Sequence, residues 1–189
     1  TAVDRESLEI MAEAGIKFTI LSPFQADRWR LFGQASEWHD ARDGKIPTGW
    51  PYLYRCGGGK VIHIFFYDSS FAHEIAFSRL LEHSSKLLNR ISSAFEYRDQ
   101  SQNAPWLVNV ATDGESYGHH FKFGDMALTA AFQELEQDPT IQITNYASFL
   151  ATFPVNAEVE IIENTAWSCA HGLGRWESDC GCRTGGEPE

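Results

Sequence analysis

The stretch Lys60 to Tyr67 constrains the fold more than any other part of the chain. It reads Lys-Val-Ile-His-Ile-Phe-Phe-Tyr, almost unbroken apolar, and stops at Asp68-Ser69-Ser70. A half-buried strand alternates apolar and polar side chains. A continuous run fits a strand covered on both faces, which needs helices on each side of a sheet. Trp106 to Ala111 is a second run of this kind, and it too ends on carboxylates, at Thr112-Asp113-Gly114-Glu115.

The remaining segments complete an alternation. Asp4 to Ala14 has helical spacing and closes at Gly15, and Ile16 to Leu21 is a short β-prone run ending at Ser22-Pro23. Phe24 to Phe32 predicts a short helix, and the Gly-, Pro-, Asp- and Trp-rich Gln34 to Gly59 a long loop. Helical patterns cover Phe71 to Ala94, Lys122 to Gln137 and Asn145 to Phe153, and Ala157 to Ile162 is a late strand. Alternation of this kind predicts an α/β fold, with parallel strands and outer helices. In such folds the chemistry gathers where strands end, which places Asp68, Asp113 and Glu115 at a shared mouth.

Charge narrows the partners. The chain of 189 residues carries a formal net charge of −11. An acidic surface repels phosphate backbones and anionic lipid heads, so neither nucleic acid nor membrane is expected as a partner. No apolar run reaches the ~20 residues that span a bilayer. A neutral sugar polymer is indifferent to the charge, and the six Trp supply faces that stack on sugar rings, although most large aromatics serve as core. Of the four Cys, three crowd the end of the chain, unlike the spread of a disulfide-stapled secreted module. With no secretory leader pattern in the first residues, a cytoplasmic location is expected.

Val110-Ala-Thr-Asp113-Gly-Glu115-Ser-Tyr-Gly118-His119-His120 is the strongest constellation. Glycoside hydrolysis needs paired carboxylates, one as acid/base and one as nucleophile or base. The plain alternative is an Asp-Gly turn with Glu115 solvated. His119 and His120 are adjacent and point apart on regular backbone, so one of them is expected to face a ligand.

Asp-Gly-Glu-x-(aromatic)-Gly after an apolar strand resembles the acid/base motif of glycoside hydrolase family 57. Further segments extend the resemblance in order. Ala14-Gly-Ile-Lys-Phe-Thr-Ile-Leu-Ser-Pro-Phe-Gln-Ala26 is similar to the strand and loop after the nucleophile region. Ile64-Phe-Phe-Tyr-Asp68 and Ile75-Ala-Phe-Ser-Arg-Leu-Leu81 resemble another barrel segment, and Thr144-Asn-Tyr-Ala-Ser-Phe-Leu150 the last signature. Trp167-Ser-Cys-Ala-His171 and Asp179-Cys-Gly-Cys182 are similar to a bacterial subgroup with a Cys/His-rich end. The resemblance implies a portion of an incomplete (β/α)7 barrel, a retaining mechanism on α-glucans, and Asp113 as acid/base. It needs no cofactor for catalysis.

In the resembling subgroup the nucleophile Glu directly precedes a Thr-Ala-Val-Asp stretch, and this chain begins at Thr1-Ala2-Val3-Asp4. The expectation is that residues 1–162 are the later part of a barrel whose upstream part supplies the nucleophile, with 163–189 a Cys/His-rich segment packed on the same domain. A full barrel runs to about 250 residues. Two rival readings stay open. One is a glycan-binding or regulatory module without turnover. The other is a metal-dependent hydrolase or deacetylase using Asp113, His119 and His120.

Glu115, His119, His120, Asp68, Gln25 and Trp29 are the expected substrate-binding residues, with Trp50 a further sugar-subsite candidate. Cys169-Ala-His171 and Cys180-Gly-Cys182 together make a Cys3His set, a common tetrahedral zinc shell, at spacings tighter than the usual C-x2-C. The alternative is a group of reduced thiols, or a labile Cys180–Cys182 bond. Cys56, before Gly57-Gly58-Gly59, reads as a hairpin or loop thiol.

Overall fold

A computed structural model describes residues 2–33, 37–96, 105–169 and 171–182. They form two compact units, one of residues 1–46, 52–66 and 156–189, the other of residues 47–51 and 67–155. Among the described residues no helix is long and apolar enough to cross a membrane.

The first unit is built on a six-stranded sheet. Its strands are β2 (Phe18–Leu21), β3 (Ala26–Leu31), β4 (His39–Asp40), β5 (Tyr52–Arg55), β6 (Val61–Phe66) and β7 (Ala157–Ile161), in the order β2-β6-β5-β7-β3-β4. β1 (Ala2–Val3) pairs with β8 (Thr165–Ala166) as a separate antiparallel ribbon. The β2–β6 and β5–β7 pairs are parallel, and the β6–β5, β7–β3 and β3–β4 pairs antiparallel. The sheet is therefore mixed, where the sequence predicted parallel strands throughout. α1 (Arg5–Glu13) leads into β2, capped by Asp4, whose carboxylate accepts from Ser7 N at 2.7 Å. Ile62, Ile64, Phe65 and Phe66 of β6 are fully buried, as the apolar run required. Each such side chain contributes about 1.5–3 kcal/mol by leaving water.

Two expectations fail here. Phe24 to Phe32 is a 3-10 turn, Pro23–Gln25, followed by β3. Arg28 and Arg30 alternate with Trp29 and Leu31, and the two Arg pair across the ladder with Glu160 and Glu158 of β7. Period-two charge complementarity between strands outweighs the short helical pattern. The expected loop Gln34 to Gly59 contains β4 and β5, and its positions 34–36 lie outside the described residues. β5 forms a hairpin with β6 across Cys56–Lys60, where Cys56 N donates to Lys60 O at 2.9 Å.

Helices dominate the second unit: α2 (Ser69–Phe77), α3 (Ser84–Glu96), α4 (Gly124–Leu135) and α5 (Tyr146–Thr152). The predicted helix Phe71 to Ala94 is interrupted at Arg79, which has φ of 55°, and by a 3-10 turn at Leu80–Glu82. The reason is packing. Phe71 and Ile75 define a helix face that continues through 78, 79 and 82, whereas the core takes Leu80 and Leu81. Only a break turns both leucines inward.

Trp106 to Ala111, expected as a strand, joins no strand ladder. Leu107 N donates to Gly49 O and Asn109 O accepts from Asp68 N, one bond on each side. Pro47 and Pro51 flank Gly49 and have no N–H to extend the pairing. The alternation survives, for Val108 and Val110 pack on the helical core while Asn109 is buried and polar.

Candidate active-site turn and Cys/His cluster

In the second unit, the segment Trp106 to Ala111 delivers Asp113 to the start of a 3-10 turn, Gly114–Tyr117. The turn is fixed from within. Ser116 is buried and its N–H donates to Asp113 O at 3.1 Å; Glu115 O accepts from both His119 N and His120 N. Tyr117 packs on the helical core, and its hydroxyl meets Thr112 Oγ1 at 2.9 Å. Gly118 takes φ of 149°, a region that L side chains rarely adopt, so the glycine ends the turn. Gly114 opens the turn without a positive φ.

Asp113 differs from the other acidic caps. Asp4 and Asp68 both fold back onto the N–H groups of their helices, as N-cap carboxylates do. Asp113 occupies the same position of its turn and makes no such bond, and it is exposed. Its carboxylate oxygens point to no structural partner among the described residues. Glu115 is 71% exposed and pairs with His120 at 3.4 Å. His119 and His120 stand edge to face, ring centres 5.0 Å apart. Asp113 thus heads the turn that carries Glu115, and His119 and His120 follow it, tied back to the Glu115 carbonyl.

The other expected ligands have structural contacts. Asp68 Oδ1 accepts from Phe71 N at 2.9 Å and from Ser70 Oγ, while Oδ2 meets Arg90 at 3.2 Å. Arg90 also bonds Glu74 at 2.9 Å and lies over the Phe71 ring. Burial disfavours its charge, but Glu74 and Asp68 outweigh that and hold the guanidinium more firmly protonated than usual. In the first unit, Gln25 is 1% exposed. Its Oε1 accepts from Ser22 N and its Nε2 donates to Thr165, completing a capping box. Trp29 packs against His39 and stands edge-on to Tyr52, half-buried in the sheet. In the second unit, Trp50 stands edge-on to Trp106.

Sequence reasoning missed Arg90 and Asn109. Asn109 Nδ2 donates to Thr48 O at 2.9 Å and Oδ1 accepts from the Tyr146 hydroxyl at 3.1 Å. Burial pushes the Tyr146 phenol up to about 12, which keeps it a donor. A polar residue interrupting an apolar run was the available signal. Arg90 lies far from Asp68 in sequence and offered none.

The second unit also encloses a cavity of about 710 Å³, walled largely by Phe71, Ile91, Trp106, Leu128, Phe149 and Phe153. Neither Asp113 nor Glu115 lines it.

The first unit carries the Cys/His cluster. Cys169, His171, Cys180 and Cys182 bring their donor atoms within 4.8 Å of one another. All four Cys of the chain are free thiols. Cys56 stands apart, buried, its sulfur 3.7 Å from Leu8 O. The alternative of a Cys180–Cys182 bond has no counterpart, for both are free thiols. The cluster offers donors of the kind that hold a metal.

The family model described as Glycosyl hydrolase family 57 matches residues 1–162. The fold is similar to that of a solved structure, 4-alpha-glucanotransferase from Thermococcus litoralis, with a TM-score of 0.56 and 20% identity over 86% of this chain. The chain corresponds to 23% of that enzyme's length. No curated protein sequence matches the chain.

Proposed function

The chain belongs to glycosyl hydrolase family 57, and from that premise we propose that it carries the acid/base carboxylate, Asp113, of a retaining glycoside hydrolase or glucanotransferase acting on α-glucans. The observation that carries this reading is the free carboxylate of Asp113 at the head of a rigid turn, in a position where the other acidic caps of the chain are consumed by capping. A general acid must meet its substrate with an uncommitted proton-bearing oxygen held in place by the scaffold. The Thr112–Tyr117 brace and Gly118 supply the rigidity.

In this mechanism Asp113 gives a proton to the glycosidic oxygen as the bond to the anomeric carbon breaks and the nucleophile carboxylate forms the glycosyl-enzyme. It then takes the proton of the water or sugar hydroxyl that attacks that intermediate. The exposed Glu115–His120 pair lies beside it and bonds sugar hydroxyls. Within the first unit, the parallel β2–β6 pair, with α1 leading into β2, is the portion that fits an incomplete (β/α)7 barrel. The contacts of Gln25 and Asp68 fit a framework role better than a ligand role. A cytoplasmic setting fits the free thiols.

The test uses the enzyme that contains this chain. Asp113→Asn, nearly isosteric at an exposed site, keeps the fold and lowers turnover of natural glucans by about 10²–10⁴-fold. Substrates with a very good leaving group need no protonation, so their glycosylation step suffers less. Glu115→Gln is milder on both. Near-normal glucan turnover by Asp113→Asn contradicts the assignment, and a larger loss at Glu115 moves the role there.

A further inference from the structure

We propose that Cys169, His171, Cys180 and Cys182 form a mononuclear, structural zinc site that fastens the β8 end of the first unit. The donor geometry carries the proposal. Zinc bonds of about 2.3 Å to sulfur and 2.0–2.1 Å to nitrogen set tetrahedral edges of about 3.8 Å between sulfurs and about 3.5 Å between sulfur and nitrogen. The Cys169 sulfur lies 3.7 Å from that of Cys180 and 3.8 Å from that of Cys182. His171 Nδ1 lies 3.8 Å from the Cys169 sulfur and 3.2 Å from that of Cys182. No two of the donors are more than 4.8 Å apart, and these four edges bracket the values for one ion. They are too long for a covalent S–S bond and too short for ligands spread around a multi-iron cluster.

The backbone is shaped to hold this set. Cys169 N donates to Ala166 O, which ties the first ligand directly to β8. Gly172 has φ of 61°, and a Cβ there would stand 2.5 Å from Asn164 O. Only glycine lets the Cys-x-His turn press onto the turn that precedes β8. From there β8 pairs with β1, and Arg5 N at the start of α1 donates to Glu163 at 3.1 Å. The site therefore secures a two-residue ribbon that has little ladder of its own.

Four protein donors complete the tetrahedron, which leaves no position for water or substrate. A catalytic zinc keeps one position open, so the chemistry here is structural. Cys and His donors select zinc over calcium or magnesium, which take oxygen ligands. The site stands independently of the glucan reading.

Elemental analysis of the chain purified without chelator and reconstituted with zinc is expected to give about one zinc per chain. Cys169→Ser and Cys182→Ser each lose it. Cys56→Ala, which removes the remaining thiol, keeps it. Cobalt added to the metal-free wild-type chain gives the visible absorption of a tetrahedral ion with thiolate charge transfer, a readout independent of how the variants fold. Absence of bound zinc, iron in its place, an octahedral cobalt spectrum, or retention of metal by Cys169→Ser overturns the proposal.

Discussion

Glu158 shows how one side chain orders the centre of the sheet. It lies on β7 between Arg55 and Arg30, with Arg55 Nε 2.7 Å away. Burial pushes its carboxyl up, but the hydrogen bonds and charges of the two Arg outweigh burial and hold it below the ordinary carboxylate value. A depressed folded pKa means that the stabilisation is complete above the unfolded value of about 4.3 and is lost as pH falls through the folded one. Glu158→Gln should therefore cost about 1.5–3 kcal/mol at neutral pH, the scale of hydrogen bonds to a charged group. Its urea midpoint should also fall less than wild type's as pH drops from neutral to below the folded value. An unchanged acid limb would show that the Arg pair contributes nothing. Asn109 is the corresponding residue in the second unit. Asn109→Ala removes the partner of both Thr48 O and the Tyr146 hydroxyl, and should cost about 1–3 kcal/mol in denaturant unfolding. A loss under a few tenths would mean water replaces it.

At the level of elements, capping and strong periodicity were legible in the chain. Asp4 and Asn145 start α1 and α5 where the sequence placed them, and the apolar runs of β2, β6 and β7 are strands. What escaped was set by tertiary partners. β3 and β5 are short and rich in Arg and Tyr, and they become strands because β7 offers Glu158 and Glu160 and β6 an apolar hairpin partner. The break at Arg79 follows from where Leu80 and Leu81 find a core, which no local pattern announces. The Cys/His set was legible as residue types, yet its convergence depends on Gly172 meeting the Asn164 carbonyl. Asp113 was legible as a motif. That it makes no cap bond was visible only in three dimensions.

At the scale of the whole molecule, a net charge of −11 disfavours polyanions as partners, and the chain belongs to glycosyl hydrolase family 57. The chain spans 23% of the length of the Thermococcus litoralis enzyme, so the proposed turnover is tested on a full-length family enzyme that carries this segment. The central claim is that Asp113 acts as acid/base in a retaining mechanism. The most direct test is azide rescue of Asp113→Ala in that enzyme, with a glycosyl substrate bearing an activated leaving group. Azide needs no deprotonation, so it intercepts the glycosyl-enzyme that this variant cannot hydrolyse efficiently. The account predicts restored turnover and a glycosyl azide with the anomeric configuration of the substrate. A glycosyl azide of inverted configuration would make Asp113 the nucleophile, and no rescue at any azide concentration would remove it from the acid/base role.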